Sequence, residues 1–337
     1  MSAKKLKQIE WYVDPAALAR REPGIRHSFM ASLATALNYV QGELNPAWLM
    51  GSSAFAFRIF INETMCPSAM SVFDYSAILP EAVEQAGYRC RYISRYWDED
   101  EVEEMRRKEA QAAIFSAINR GVPAIVWDIF DDEWGLIIGY DEEKRSYDTL
   151  TIEGKPGSLA FEKLGHNGID ILSVTIPEER NQRSRTEIIS KSLKTALAHA
   201  AQKEWFERPN YQDGLPAFDL WALVFERWAM LLEAGKSGKI DDGLRGFANY
   251  YAAHHFSARC YARDYLKALS EKNESLNQAW LAYAEVASHL KPIWDYFSEQ
   301  SSPRADVLKD LAKNVREAKT SEEKGIGYLK EYLNEKQ

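Results

Sequence analysis

Cysteine is scarce in this chain: three in 337 residues, at Cys66, Cys90 and Cys260. No CxxC pair exists, which excludes a zinc ribbon or dithiol redox motif. The odd, low count suits a reducing compartment better than a disulfide-framed secreted domain. Histidine is nearly as rare, with six, and the adjacent His254 and His255 lack the i, i+4 spacing of a metal-binding helix. No apolar run reaches the ~18 residues of a membrane span, and residues 1–10 are charged and lack an apolar signal core. A basic stripe is also missing, and the formal net charge is -8, so a phosphate-tracking surface is not expected. These absences predict a cytoplasmic chain with no nucleic-acid partner, no membrane partner, no metal and no cofactor.

What is present is enough apolar side chain for a full core, 46% of residues, in a length that suits one large or two ordinary domains. Residues 11–13 read as a short strand, followed by a turn or short helix at Asp14-Pro15. From Ser28 the spacing turns helical through Phe29, Leu33, Ala36 and Leu37, and Gly42 closes the run. Arg58 is the lone charge in the apolar block 47–61, which implies a carboxylate partner or a pocket wall. A helix over 75–87, a strand over 88–92 and a helix over 99–119 follow. Strands are expected over 122–129, 134–140, 147–152 and 169–176, with Pro177 ending the last.

Residues 177–185 are rich in charge and poor in core residues, and Arg180, Arg183 and Arg185 read as a solvated linker. The boundary placed there divides the chain into an α+β domain, 1–180, and a helical domain, 186–337. The helical segments are 186–205, 217–234, 244–269, 276–297 and 304 onward, the last broken near Gly325 and Gly327. Trp221, Val224, Phe225 and Trp228 form one apolar stripe, and Leu276, Trp280, Ala284, Ala287 and Leu290 another. Both read as bundle seams.

Two stretches carry a resemblance. One is the helix Ser28-Phe29-Met30-Ala31-Ser32-Leu33-Ala34-Thr35-Ala36-Leu37-Asn38-Tyr39. The other is the apolar strand from Glu133-Trp134 to Gly139-Tyr140-Asp141. Together they resemble bacterial papain-like proteins, both the bacteriocin-processing peptidase-like group and the N-terminal domain of butirosin biosynthesis protein H and its relatives. The resemblance covers about residues 20–176. It implies a papain-like α+β domain with a mostly antiparallel sheet. Ser28 stands at the family's cysteine, Glu133 at its histidine, and Asp148 on the next strand at the residue that orients the histidine. The run from Gly214 to Trp221 resembles a helical extension of some relatives.

The chemistry at those positions departs from the family. A thiol nucleophile is acidified by imidazole and by a helix N-terminus. A serine hydroxyl needs a true base, and a carboxylate supplies neither that basicity nor an imidazolium. The upstream glutamine of the oxyanion hole is also absent, its neighbourhood reading Glu22-Pro23-Gly24. The expectation is therefore a catalytically degenerate papain-like protein that binds a small molecule or peptide in the former cleft. Ser28, Glu133, Trp134 and Asp148 would line it, with Arg58 and Asp128 as further ligand-binding candidates. Two alternatives stand beside it. One is an amide hydrolase or acyltransferase using Ser28. The other is a structural protein whose helical half makes a homo-oligomer.

Other candidates have plainer readings. His27 is a capping or surface histidine, because residues adjacent on a helix start point apart. Cys66 is a small buried hydrophobe. Of His254 and His255, one faces core and one solvent. The acidic set Asp128, Asp131, Asp132, Glu133 and Asp141 belongs to turns and strand ends. Its functional reading is a cleft for a cationic or amine-bearing ligand, with Trp127 and Trp134 as walls.

Overall fold

The computed structural model describes residues 3–130, 132–204, 210–299 and 302–336, with the side chain of Ser237 left out. The strands are β1 (Ala3–Lys5), β2 (Phe60–Asn62), β3 (Tyr88–Arg95), β4 (Ala124–Phe130), β5 (Glu133–Asp141), β6 (Ser146–Leu150), β7 (Pro156–Ala160), β8 (Leu172–Arg180) and β9 (Tyr211–Asp213). The α-helices are α1 (Pro15–Ala19), α2 (Ser28–Gln41), α3 (Pro46–Ser52), α4 (Tyr75–Gln85), α5 (Glu103–Arg120), α6 (Arg185–Ala200), α7 (Gly214–Glu233), α8 (Asp242–Leu269), α9 (Glu274–Ser298) and α10 (Ala305–Glu335). No helix among the described residues is long and apolar enough to cross a membrane.

The fold is mixed α+β, and its residues group into two compact units. One comprises Met1–Asp14, His27–Leu49 and Asp74–Arg183; the other comprises Pro15–Arg26, Met50–Phe73 and Ser184–Gln337. A linear division into 1–180 and 186–337 does not contain the two N-terminal excursions into the helical unit. The 50–73 excursion is apolar in cause, with Ile59, Phe60, Ile61, Met65 and Met70 buried in the same core cluster as Trp221, Phe225 and Leu290. The 15–26 excursion is instead held by polar contacts, Arg20 with Asp264 and Glu22 with Arg263.

The first unit is built on an antiparallel seven-stranded sheet in the order β3-β8-β4-β5-β6-β7, with β1 pairing the far end of β5. The expected strand at 11–13 does not form, and the polar Ala3–Lys5 segment takes the place beside β5 instead. Gly139 makes this possible, since a Cβ there would lie 2.8 Å from the Lys4 carbonyl and 2.8 Å from Asp148 Oδ2. Strand alternation gives the sheet two apolar faces. Val126, Ile137 and Val174 pack with Ile114 and Ala117 of α5. On the other face Trp134 meets Phe29 of α2, and Trp127 meets Tyr75 of α4.

Pro177 does not end β8, which continues to Arg180. It sits opposite Cys90 at a register shift in β3, where the missing amide hydrogen is tolerated. The arginines after it are solvated in part but do not form an irregular linker: Arg180 ends β8 and Arg185 opens α6, both exposed, while Arg183 is half-buried. Arg183 binds Glu81 and Glu84 of α4, and Arg180 donates to Gln41 Oε1 at 2.9 Å and lies over the Tyr88 ring.

In the second unit α7, α8, α9 and α10 carry the core, and β2 pairs with β9. Three ion pairs join α7 to α10: Asp219–Lys319 at 2.7 Å, Glu226–Arg316 at 2.7 Å and Glu233–Lys309 at 2.6 Å. The acids are seven residues apart along α7, so they share one helical face. The last helix is not broken at Gly325: a Cβ there would lie 2.8 Å from the Tyr283 ring, so this glycine admits close packing of α9. The seam of α9 runs through Leu276, Ala279, Tyr283, Val286 and Leu290. Trp280 lies off it, under the Lys267 ammonium.

Candidate functional site

Ser28 is the first residue of α2, and Glu133 is the first residue of β5. The register of β4 with β5 pairs Glu133 with Phe130 across the turn. The Ser28 hydroxyl donates to Glu133 Oε2. The first N–H groups of a helix have no acceptor within it, and its dipole favours negative charge at that end. Glu133, half-buried, has its side chain beside the first residue of α2.

The floor of the site is aromatic and closed. Trp134 is 1% exposed. Its ring centroid lies 4.3 Å from that of Trp127, 5.1 Å from Tyr75, 5.7 Å from His27 and 5.8 Å from Phe29. His27 is buried and packs against Trp134 rather than sitting at the surface. Phe130, beside Glu133, is exposed.

Asp148 is not with this pair. It stands opposite Gly139, six residues along β5 from Glu133, or about 20 Å at the rise of an extended strand. Its carboxylate accepts from Lys5 Nζ at 2.8 Å. Asp148 thus stands apart from the Ser28–Glu133 pair.

Asp128 holds a loop. Its carboxylate accepts from the Gly168 amide at 2.6 Å and the Ile169 amide at 2.9 Å, while Asn167 donates to its carbonyl at 3.1 Å. It has positive φ, as does Asp132. Burial pushes the Asp128 carboxyl above the ordinary aspartate range against the pull of the two amides, and the charge of Asp132 adds to the rise. Asp141 accepts from the amides of Glu143 and Lys144 in the β5–β6 turn. Asp131 lies outside the described residues.

Arg58 belongs to the second unit and is buried. Its Nε donates to Glu204 Oε2 at 3.0 Å, its Nη1 to the Ser53 carbonyl at 2.9 Å, and its Nη2 to Glu204 Oε1. Of the two options at sequence level, the carboxylate partner is the one realised. Sequence reasoning missed His199, which joins this network: Nδ1 lies 3.1 Å from Glu204 Oε2, and Nε2 accepts from the Ile59 amide at 3.0 Å. Burial would raise the Glu204 carboxyl, but Arg58 and then His199 hold it down at about 2. A ring nitrogen directed at backbone amides is occupied structurally, so the His199–Glu204 pair is a knot rather than a catalytic dyad.

His254 and His255 are both buried, contrary to the expected split. His255 Nε2 lies 3.1 Å from the Phe60 carbonyl, and burial, with Arg259 nearby, pushes its imidazole down to about 3. Cys66 is partly exposed rather than buried, with Sγ 3.0 Å from Ser68 Oγ.

Compared with protein-family models and with curated proteins, the chain matches none.

Proposed function

We propose that the first unit is a catalytically degenerate papain-like domain that binds a small molecule or peptide at the Ser28–Glu133 pair. The observation that carries this reading is the hydrogen bond from Ser28 to Glu133 at the start of α2. A nucleophilic hydroxyl needs a base of suitable basicity, an orienting partner for that base and free oxyanion donors. Here the base position is a carboxylate, and Asp148 is engaged far along the strand with Lys5. What remains is a recognition element: a partly exposed carboxylate beside an exposed phenyl ring, Phe130. That combination suits an amine-bearing ligand with an apolar body, since carboxylate and ring face both attract a cation.

The test is a thermal-shift screen of amines and short cationic peptides against the wild type, run beside turnover of activated acyl esters. The expected result is ligand stabilisation that Glu133→Gln abolishes, with no ester hydrolysis above that of Ser28→Ala. Ester turnover lost in Ser28→Ala would overturn the reading in favour of acyl transfer at Ser28.

A further inference from the structure

Glu103 opens α5, and the loop between β7 and β8 brings His166 and Asp170 to it. One ligand atom from each of the three lies within 4.8 Å of the others. We propose that these three side chains form a transition-metal site that takes Zn²⁺.

The donor set selects the metal class. One imidazole nitrogen and two carboxylate oxygens suit Zn²⁺, which binds such ligands at about 2.0–2.2 Å and keeps an open position for water. Calcium and magnesium prefer all-oxygen shells. Ligand atoms of a tetrahedral zinc site lie roughly 3.3 Å apart by those bond lengths, so the present cluster closes on an ion with small side-chain movements. His166 Nδ1 lies 2.9 Å from Asp170 Oδ1, and zinc would exchange that contact for two metal bonds.

Two arginines border the site and act differently. Arg95 is buried and donates to Asp170 Oδ1 at 2.7 Å, to the Asp170 carbonyl at 2.9 Å and to the Gly165 carbonyl at 2.7 Å. It fixes the loop and orients the aspartate, as outer hydrogen bonds to a ligating carboxylate do. Arg107, one helical turn from Glu103, binds the Glu103 carboxylate directly and donates to the Leu164 carbonyl at 3.2 Å. It competes with a cation for Glu103. The same loop is gripped at Gly168 and Ile169 by Asp128, so a bound ion would tie the start of α5 to a segment anchored at the end of β4.

The test uses the untagged full chain and Zn²⁺ alone, by competition with a chromogenic chelator and by metal analysis after gel filtration. Wild type is expected to retain one zinc per chain. His166→Ala should weaken binding by at least about tenfold, in line with the loss of a site-defining group. Because His166 is 57% exposed, that variant should keep the wild-type circular dichroism. Arg107→Ala should bind zinc several-fold more tightly, which adventitious surface binding would not do. The proposal is overturned if wild type retains no stoichiometric zinc, if His166→Ala keeps wild-type affinity, or if Arg107→Ala leaves the affinity unchanged.

Discussion

A cysteine placed at Ser28 would report the electrostatics of the α2 terminus directly. An ordinary thiol titrates near 8.5. In Ser28→Cys the thiol would sit in hydrogen-bond contact with the Glu133 carboxylate, judged by the wild-type contact. A carboxylate at that range should raise the thiol by about one pH unit, because a like charge disfavours the thiolate. In the double substitution Ser28→Cys with Glu133→His, an imidazolium replaces the carboxylate, and helix terminus and cation act together. Thiols so placed fall to roughly 6.5 or lower. The two variants should then differ by about three pH units in the midpoint of alkylation by iodoacetamide. The rate gain at pH 6 is smaller than the thiolate ratio, since nucleophilicity falls with pKa by a Brønsted coefficient of about 0.4–0.5. A thousandfold rise in thiolate becomes roughly a 30- to 60-fold rise in rate. Identical midpoints in the two variants would refute the reasoning, because they would mean that residues 28 and 133 do not face each other across the helix start.

Other consequences lie in the helical unit. Arg259 and Glu322 are buried and joined by two hydrogen bonds of 2.9 Å each, and the Tyr283 hydroxyl donates to the same carboxylate at 3.1 Å. Glu322→Ala would strand the guanidinium and should cost about 3–5 kcal/mol, a fall of roughly 6–20 °C in melting temperature for a unit of this size. Replacing both partners by Arg259→Met and Glu322→Leu should recover most of that loss in a calorimetric scan. The Glu204 carboxyl, held at about 2 against an ordinary 4.5, contributes stability that is present above pH 4.5. That stability is lost as pH falls toward 2, about 3 kcal/mol in all. Urea midpoints at pH 5 and pH 3 should therefore diverge in the wild type and converge in Glu204→Gln; equal divergence in both would exclude Glu204 as the source.

Local pattern was legible where a short-range rule sufficed. Helical spacing marks α2, α4, α5 and the C-terminal helices, and the glycines after α2 and α5 mark their ends, both with positive φ. A continuous apolar run marks β5, and the polar turn after it marks the hairpin to β6. Ser28 and Glu133, set together by a likeness in apolar spacing and a Gly-Tyr-Asp turn, are in hydrogen-bond contact. Tertiary structure decided what depends on register and partner choice. Asp148 lost its expected place because strand pairing fixed it opposite Gly139, and period-2 geometry says nothing of how far along a partner strand a residue falls. Arg58 found Glu204, 146 residues away, because a buried guanidinium takes whichever carboxylate the fold delivers. Composition alone cannot name that carboxylate. Gly325, a breaker by propensity, stayed inside α10 because packing against Tyr283 outweighs the cost of about 1 kcal/mol for a helical glycine. The sequence by itself marked the long helices and the central strands, where local spacing is strong, but not β1, β2, β7 or β9, short strands that exist only through their partners. Only the folded chain decided which polar side chains meet, since those meetings are set by long-range pairing.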